Sequence, residues 1–342
     1  MNEAFRHVDR DQTIVFGAGA LDAAGDLIGD GYTLLTTARA AGSAPALVER
    51  AAGVVHVPAG LVDAVAADLR AEVTGRKLVA LGGGRVIDVA KALAAADGPR
   101  EVTAVPTSLS GAEMTGVHRH ARGVADSTPR VRAAVVINDP ALSASQPIDQ
   151  LAASSANALG HAVTALVSER STTLAQAVAA QAVRELAAGW SGDDPDRHRV
   201  ALGALLAGWA VDRSGLGPHH ALAQTAVRMA SLEHAQVNAA LLPFTVAAMR
   251  ARAGARFEQL EVELGRPVET LAEDLRQRAG VAGLGQLGAD AELLDQTVAA
   301  AIKRAELARV TPALDQDEVA GIYRAAALAP NERLPDLQRI AD

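Results

Sequence analysis

The sequence predicts an α/β domain built on a mostly parallel sheet, residues 1–142, followed by an all-helical domain, residues 143–342. Three observations predict it. Short apolar runs of strand type alternate with helix-like stretches through the first part of the chain. At Leu78 to Ala94, LVALGGGRVIDVAKALA, an apolar strand runs through three consecutive glycines straight into an amphipathic helix. From Ser143 onward the pattern is alanine- and leucine-rich with helical spacing and offers no further convincing strand.

Taken in order, Thr13 to Phe16 (TIVF) reads as a strand that ends at Gly17–Leu21 (GAGAL), with Ala20 to Ile28 as its helix. Tyr32–Thr37 (YTLLTT) is a second buried strand, Val54–Val57 a third, and Leu61–Val73 a helix. The central strand comes next, with Val79, Ala80 and Leu81 at its end. Gly82, Gly83 and Gly84 follow, and Val86, Ile87, Val89, Ala90 and Leu93 mark the buried face of the helix after them. Without Cβ atoms these glycines let a backbone approach a pyrophosphate closely and take positive φ, while the first N–H groups of the helix point at the anion. Val102–Gly116 (VTAVPTSLSGAEMTG) is a strand stopped by Pro106, then a loop in which Thr107, Ser108 and Ser110 offer short donors and Gly111 allows close approach. Arg130–Asp139 is a last strand. Breaks in the helical part are expected at Trp190–Asp196, Ser214–Pro218, Gly280–Gly288 and Pro330–Pro335.

In such a sheet ligands bind at the carboxyl ends of the strands, which makes the Gly82 turn a dinucleotide site. Thr36 and Thr37 stand where an acid often contacts the adenosine ribose. Without that acid nothing repels a 2′-phosphate, so NADH and NADPH both remain open.

Composition narrows the function. There is no cysteine, which excludes disulfides and thiolate metal sites. A net charge of −8 and 2% aromatic residues argue against nucleic acid as a partner. The polar N-terminus lacks a signal-peptide core, and no run of about eighteen apolar residues occurs, so a cytoplasmic protein without a membrane span is expected. Lysine is confined to Lys77, Lys91 and Lys303, and only Lys91 lies beside the glycine cradle.

Chemistry in the helical part gathers in two segments, Ser154–Leu166 and Gly217–Pro243. Asn157 and His161 are four apart, as are His220 and Gln224 on another helix, so each pair shares a helix face. His219 adjoins His220, and His234 opens the next helix. Imidazoles collected in this way suit either a divalent metal or general-acid work on a carbonyl oxygen.

The order of these motifs resembles the iron-containing alcohol dehydrogenase superfamily, and within it the maleylacetate reductases. GGGRVIDVAK is similar to the family's Gly-Gly-Gly-Ser-x-x-Asp-x-Ala-Lys cofactor loop, with Arg85 in place of serine and Asp88 at the acidic position. PTSLSGAEMT is similar to its Pro-Thr-Thr-x-x-Gly-Ser-Glu-Met-Thr loop, and FGAGAL, INDPAL, NALGHAVTAL and the His-His to Glu-His segment follow in the family's order. The resemblance implies the dehydroquinate synthase-like fold, a nicotinamide cofactor, a small-molecule substrate and a homodimer. Metal-dependent members bind iron or zinc at positions that here carry Asn157, His161, His220 and His234. Neutral Asn157 replaces the usual aspartate, as in maleylacetate reductases, which work without metal; the expectation is therefore no resident metal, with His161, His220 and His234 as ligands should one bind. Gln224 stands where the family usually has a proton-transferring histidine, and His118 where it has an aromatic residue.

Three functions follow from these expectations. The first is an NAD(P)H-dependent reductase adding hydride to a conjugated ketone, with Arg119, Arg122 or Arg213 as candidate holders of substrate carboxylates. The second is a metal-dependent alcohol or tailoring dehydrogenase. The third is a non-redox lyase, cyclase or binding protein on the same scaffold.

Overall fold

The computed structural model describes residues 4–328. They form two compact units: one runs through Gln146 and includes Gly189–Gly208, the other comprises Pro147–Ala188 and the chain from Trp209.

The first unit is organised on seven strands, β1 Phe5–Asp9, β2 Gln12–Phe16, β3 Thr33–Thr36, β4 Gly53–His56, β5 Lys77–Gly82, β6 Glu101–Pro106 and β7 Val135–Asn138, in the order β1-β2-β7-β6-β5-β3-β4. Every pairing except the β1–β2 hairpin is parallel. The strands are joined by α1 Ala20–Ala23, α2 Gly25–Ile28, α3 Ala38–Ser43, α4 Pro45–Glu49, α5 Val62–Leu69 and α6 Gly84–Ala96. Leu34, Val79, Leu81, Val105 and Ile137 come together as one core from four adjacent strands, with Tyr32 buried beside them and its hydroxyl donating to the Leu47 carbonyl at 2.6 Å. Strand order reverses between β3 and β5, with β4 lying beyond one and β6 beyond the other. The carboxyl ends at that reversal belong to Thr36 and Leu81, which are paired in register. This is the crevice where an open α/β sheet takes its ligand.

Four features depart from the sequence expectation. The β1 strand escapes an apolar-pattern reading because it is a largely exposed edge. The helix expected over Ala20–Ile28 is two single turns, broken at Ala24, whose backbone is not helical. The strand expected over Arg130–Asp139 is confined to Val135–Asn138, since only that part has β2 and β6 as partners. Finally, Gly189–Gly208 groups with the sheet unit rather than with the helices. There Arg197 Nη2 donates to the Gln146 carbonyl at 2.9 Å and His198 meets the Phe16 ring edge-on at 5.1 Å. A Cβ on Gly208 would come within 3.2 Å of Gly111 Cα. These are close contacts that helical periodicity does not encode.

The second unit is helical throughout its described residues: α7 Ile148–Val167, α8 Thr173–Gly189, α9 Arg197–Ser214, α10 Pro218–Ala230, α11 His234–Arg250, α12 Gly254–Leu264, α13 Val268–Arg278, α14 Ala291–Ala301 and α15 Gln316–Ala327, with α9 passing from one unit to the other at Gly208. Seventeen of the twenty residues of α7 are buried, so this helix is the unit's axis. No described helix is long and apolar enough to cross a membrane. The expected breaks at Trp190–Asp196, Ser214–Pro218 and Gly280–Gly288 fall between helices; the one at Pro330–Pro335 lies outside the described residues.

Candidate active site

The glycine cradle is formed where β5 passes into α6. Pro106 at the end of β6 pairs in register with Gly82, and Thr107 N–H donates to the Gly82 carbonyl at 3.0 Å, so the hydroxyl loop is laid against the glycines. A Cβ on Gly83 would stand 3.1 Å from Ser108 Oγ, and one on Gly84 2.9 Å from Ser110 Oγ; at Gly82 it would strike Val86 at 2.7 Å. None of the three takes positive φ. Their requirement is close packing against the serines and Val86, a correction to the expectation of left-handed backbone.

Gly83 caps α6 in an extended conformation with no side-chain cap, the first turn contains no acid, and Arg85 is exposed in it. Uncapped N–H groups with an added cation and no competing carboxylate fit a phosphate. Thr36 and Thr37 lie at the adjoining strand end. The Thr37 hydroxyl accepts from Ala40 N–H as the N-cap of α3, while Thr36 is fully buried and donates to the Thr37 carbonyl at 3.3 Å. Asp88 turns elsewhere. It is ion-paired at 2.8 Å with Lys91, a fully buried side chain that also donates to the carbonyls of Ala112 (2.8 Å), Thr115 (3.1 Å) and Val117 (3.0 Å). The pair pins the loop after the hydroxyls onto α6, and an ammonium so engaged is no amine nucleophile. Beside it Glu113 is buried, with a carboxyl that burial raises to about 7.

In the second unit the structure brings Asn157, His161, His219 and His220 together. Asn157 and His161 lie one turn apart on α7, and both are buried. From α10, His220 Nε2 meets Asn157 Oδ1 at 3.1 Å and its ring stacks on His161, centroids 4.2 Å apart and planes within 13°. A carboxamide oxygen only accepts, so Nε2 of His220 carries the proton and its buried, unpartnered Nδ1 the lone pair. His219 sits edge-on to His220 and directly on α7: a Cβ at Gly160 would fall 2.4 Å from its Cδ2. Its Nδ1 donates to Thr245 Oγ1 at 2.8 Å, and that hydroxyl in turn donates to the Leu242 carbonyl. His234 is exposed at the start of α11, yet near enough for its charge to lower the pKa of the other three.

Burial is the main cause of their shifts. It takes His161 to about 3, with His219 and His234 adding to the effect. It takes His219 to about 3 against the Asn238 side chain, which favours the charged form, and His220 well below its ordinary value. At neutral pH all three are neutral imidazoles that can donate or accept a hydrogen bond without carrying charge.

A divalent metal does not match this arrangement. Nε2 of His220 has no lone pair to give while it donates to Asn157. Two imidazoles on one tetrahedral ion diverge from it, whereas these rings are parallel, and among the described residues no carboxylate joins them to balance the charge. Among the described residues no three of His, Asp or Glu are grouped to hold a metal.

The other residues singled out in the sequence have partners of their own. Gln224, one turn beyond His220, accepts at Oε1 from Arg304 Nη2 at 3.0 Å, a partner that no sequence motif marks. His118 donates from Nδ1 to the Arg119 carbonyl and accepts at Nε2 from Val131 N–H, closing the 118–131 loop. Arg122 is paired with Asp63 at 3.2 Å, and Arg213 lies over the Trp209 ring at 3.5 Å.

Comparison with known proteins agrees with this architecture. Residues 151–327 match the model of the Fe-containing alcohol dehydrogenase family, C-terminal. The chain is 32% identical over 256 residues to maleylacetate reductase of Sphingobium indicum, covering 68% of this chain and 72% of that protein. It is 30% identical over 333 residues to maleylacetate reductase of Burkholderia cepacia, covering 88% and 92%. The crystal structure of maleylacetate reductase from Agrobacterium tumefaciens superposes with a TM-score of 0.79 at 25% identity over 96% of this chain and all of that one. With its sheet order, glycine turn and clustered histidines accounted for, the chain belongs to the iron-containing alcohol dehydrogenase family, a family of oxidoreductases.

Proposed function

We propose that the protein is an NAD(P)H-dependent reductase of the maleylacetate reductase type, acting on a conjugated ketone or related carbonyl without a metal ion. The observation that carries this reading is the contact of neutral Asn157 with the protonated Nε2 of His220, stacked on a second neutral imidazole. A carbonyl oxygen can share that proton as Asn157 does. The glycine cradle with Arg85, Thr107, Ser108 and Ser110 would bind the cofactor phosphates, and the reduced nicotinamide would supply the hydride. As hydride adds to the alkene carbon remote from the ketone, the electron pair moves onto the ketone oxygen. Imidazole N–H donors stabilise the resulting enolate more than the ground-state carbonyl, and that difference lowers the barrier. A proton taken from solvent at the carbon next to the ketone completes the reduction. Because the buried histidines are neutral, they work here as hydrogen-bond donors rather than as imidazolium acids.

The relatives named maleylacetate reductase support the substrate class. A screen of NADH and NADPH oxidation with maleylacetate, simple aldehydes and ketones tests it. Turnover of maleylacetate by protein that elemental analysis finds free of iron and zinc is the expected result. Activity lost to chelator and restored by metal would favour a metal-dependent dehydrogenase instead.

A further inference from the structure

We infer that Arg304 and Glu306 are positioning residues that turn Gln224 into a fixed hydrogen-bond donor for a substrate oxygen, an inference that rests on the reductase reading above. The two ends of a carboxamide look alike in shape but are opposite in function, and what faces them decides which end does what. At Gln224 the neighbour is a guanidinium, which has donors only. The amide oxygen therefore turns to Arg304 Nη2, at 3.0 Å, and the NH₂ group is directed away from it. Arg304 cannot rotate freely to release the oxygen. Its Nε donates to Glu306 Oε2 at 3.1 Å and Nη2 to Oε1 at 2.8 Å, a fork that fixes the guanidinium plane. That contact holds the Glu306 carboxyl below its ordinary range, so the clamp stays ionised at neutral pH.

The segment that carries the clamp is itself tied to α10 at two places. Arg304 reaches Gln224 in the middle of the helix, and Arg309, at the end of the same short helical turn (Ala305–Arg309), donates to the Leu216 carbonyl just before the helix begins. Gln224 is half-buried, and no acceptor for its Nε2 occurs among the described residues. It shares a face of α10 with His220, four residues earlier, whose Nε2–H meets Asn157. The result is two N–H donors on one helix face, one from an imidazole and one from a carboxamide. The second bears no titrating proton, so it can hold a ketone or carboxylate oxygen at any pH the protein tolerates.

The decisive variant is Gln224→Glu. It preserves the shape and strengthens the contact with Arg304 into an ion pair, but removes the donor. The expected result is a fall in kcat/KM for the substrate found in the carbonyl screen of at least about 10-fold, with thermal stability no lower than wild type and NAD(P)H affinity unchanged. Arg304→Met should cause a similar loss, expressed mainly in KM, which Arg304→Lys restores in part. Because Arg304 acts through Gln224, adding Arg304→Met to Gln224→Glu should cost nothing further in kcat/KM. Wild-type kcat/KM in Gln224→Glu would make the contact purely structural and overturn the inference; so would a further tenfold loss in the double variant, which would mean that the arginine charge acts directly. If the wild-type protein oxidises neither cofactor with any carbonyl tested, the reductase reading itself falls. The orientation is then judged on the Gln224 side-chain amide resonances of ¹⁵N-glutamine-labelled protein: Arg304→Met must shift them, and unchanged resonances would overturn it too.

Discussion

His220 is the residue on which the site turns, because its tautomer is set by a single neighbour. With Asn157 Oδ1 accepting at 3.1 Å, the Nε2 proton is already in place for an oxygen acceptor. His220→Ala should therefore lower kcat by about 10²-fold, since the donor acts on charge that develops in the transition state, while NAD(P)H binding, measured by fluorescence titration, stays as in wild type. Asn157→Asp tests the same contact from the other side. An anion next to His220 favours divalent cations, so zinc affinity measured by calorimetry should rise above that of the wild type; equal affinity would mean that the ring geometry, not the missing charge, decides metal binding. Gly160 is the silent partner of the group. Its added methyl would overlap the His219 ring at 2.4 Å, so Gly160→Ala should destabilise by about 1–3 kcal/mol in denaturant melts.

At the level of elements, two turns and one helix make the glycine cradle, and they hold each other by different means. Glycines fit against serines in one turn, while Lys91 from α6 gathers three carbonyls of the other. Lys91→Met leaves those carbonyls without a donor and Asp88 without its cation. The expected cost is about 3 kcal/mol or more, together with weaker NAD(P)H binding, because the loop carrying Thr107, Ser108 and Ser110 loses its anchor. A variant of wild-type stability with unaltered cofactor affinity would show that the loop holds its place without the lysine.

For the whole molecule the buried imidazoles set the response to acid. His161 and His219 (about 3), His118 (about 4) and His220 are all depressed from 6.5, chiefly by burial. Below pH 6.5 the unfolded chain takes up protons that the folded chain refuses, so their contribution to stability is whole above pH 6.5 and is lost as the pH falls toward 3–4. Glu113 runs the other way. Its carboxyl, raised to about 7, stabilises below 4.5 and loses that contribution as the pH rises through 7. Four buried histidines against two buried carboxyls, Glu113 and Asp88, both raised chiefly by burial, give a net loss on acidification, so the melting temperature should fall between pH 6.5 and 4.5. A flat profile over that range would mean that the imidazoles are better hydrated than their burial implies.

The sequence by itself determined the parallel strands, the glycine turn and the helical second part, and of the polar group it expected, the structure brings Asn157, His161, His219 and His220 together. Each of these is written in local pattern: apolar runs of strand length, glycines at a strand–helix junction, and polar residues four apart on an apolar helix. Only the tertiary structure decided what those side chains face. Lys91 lies beside the glycine cradle by position, yet its ammonium anchors a loop, because it gathers carbonyls more than twenty residues away while Asp88, three residues before it, supplies the counter-charge. Gln224 looks like a lost histidine and gains a defined orientation from Arg304, eighty residues on. The exposed β1 edge and the confined β7 were illegible for the same reason. Strand length and pairing are fixed by neighbours in space, and hydrogen-bond direction by the one atom that a folded chain sets opposite.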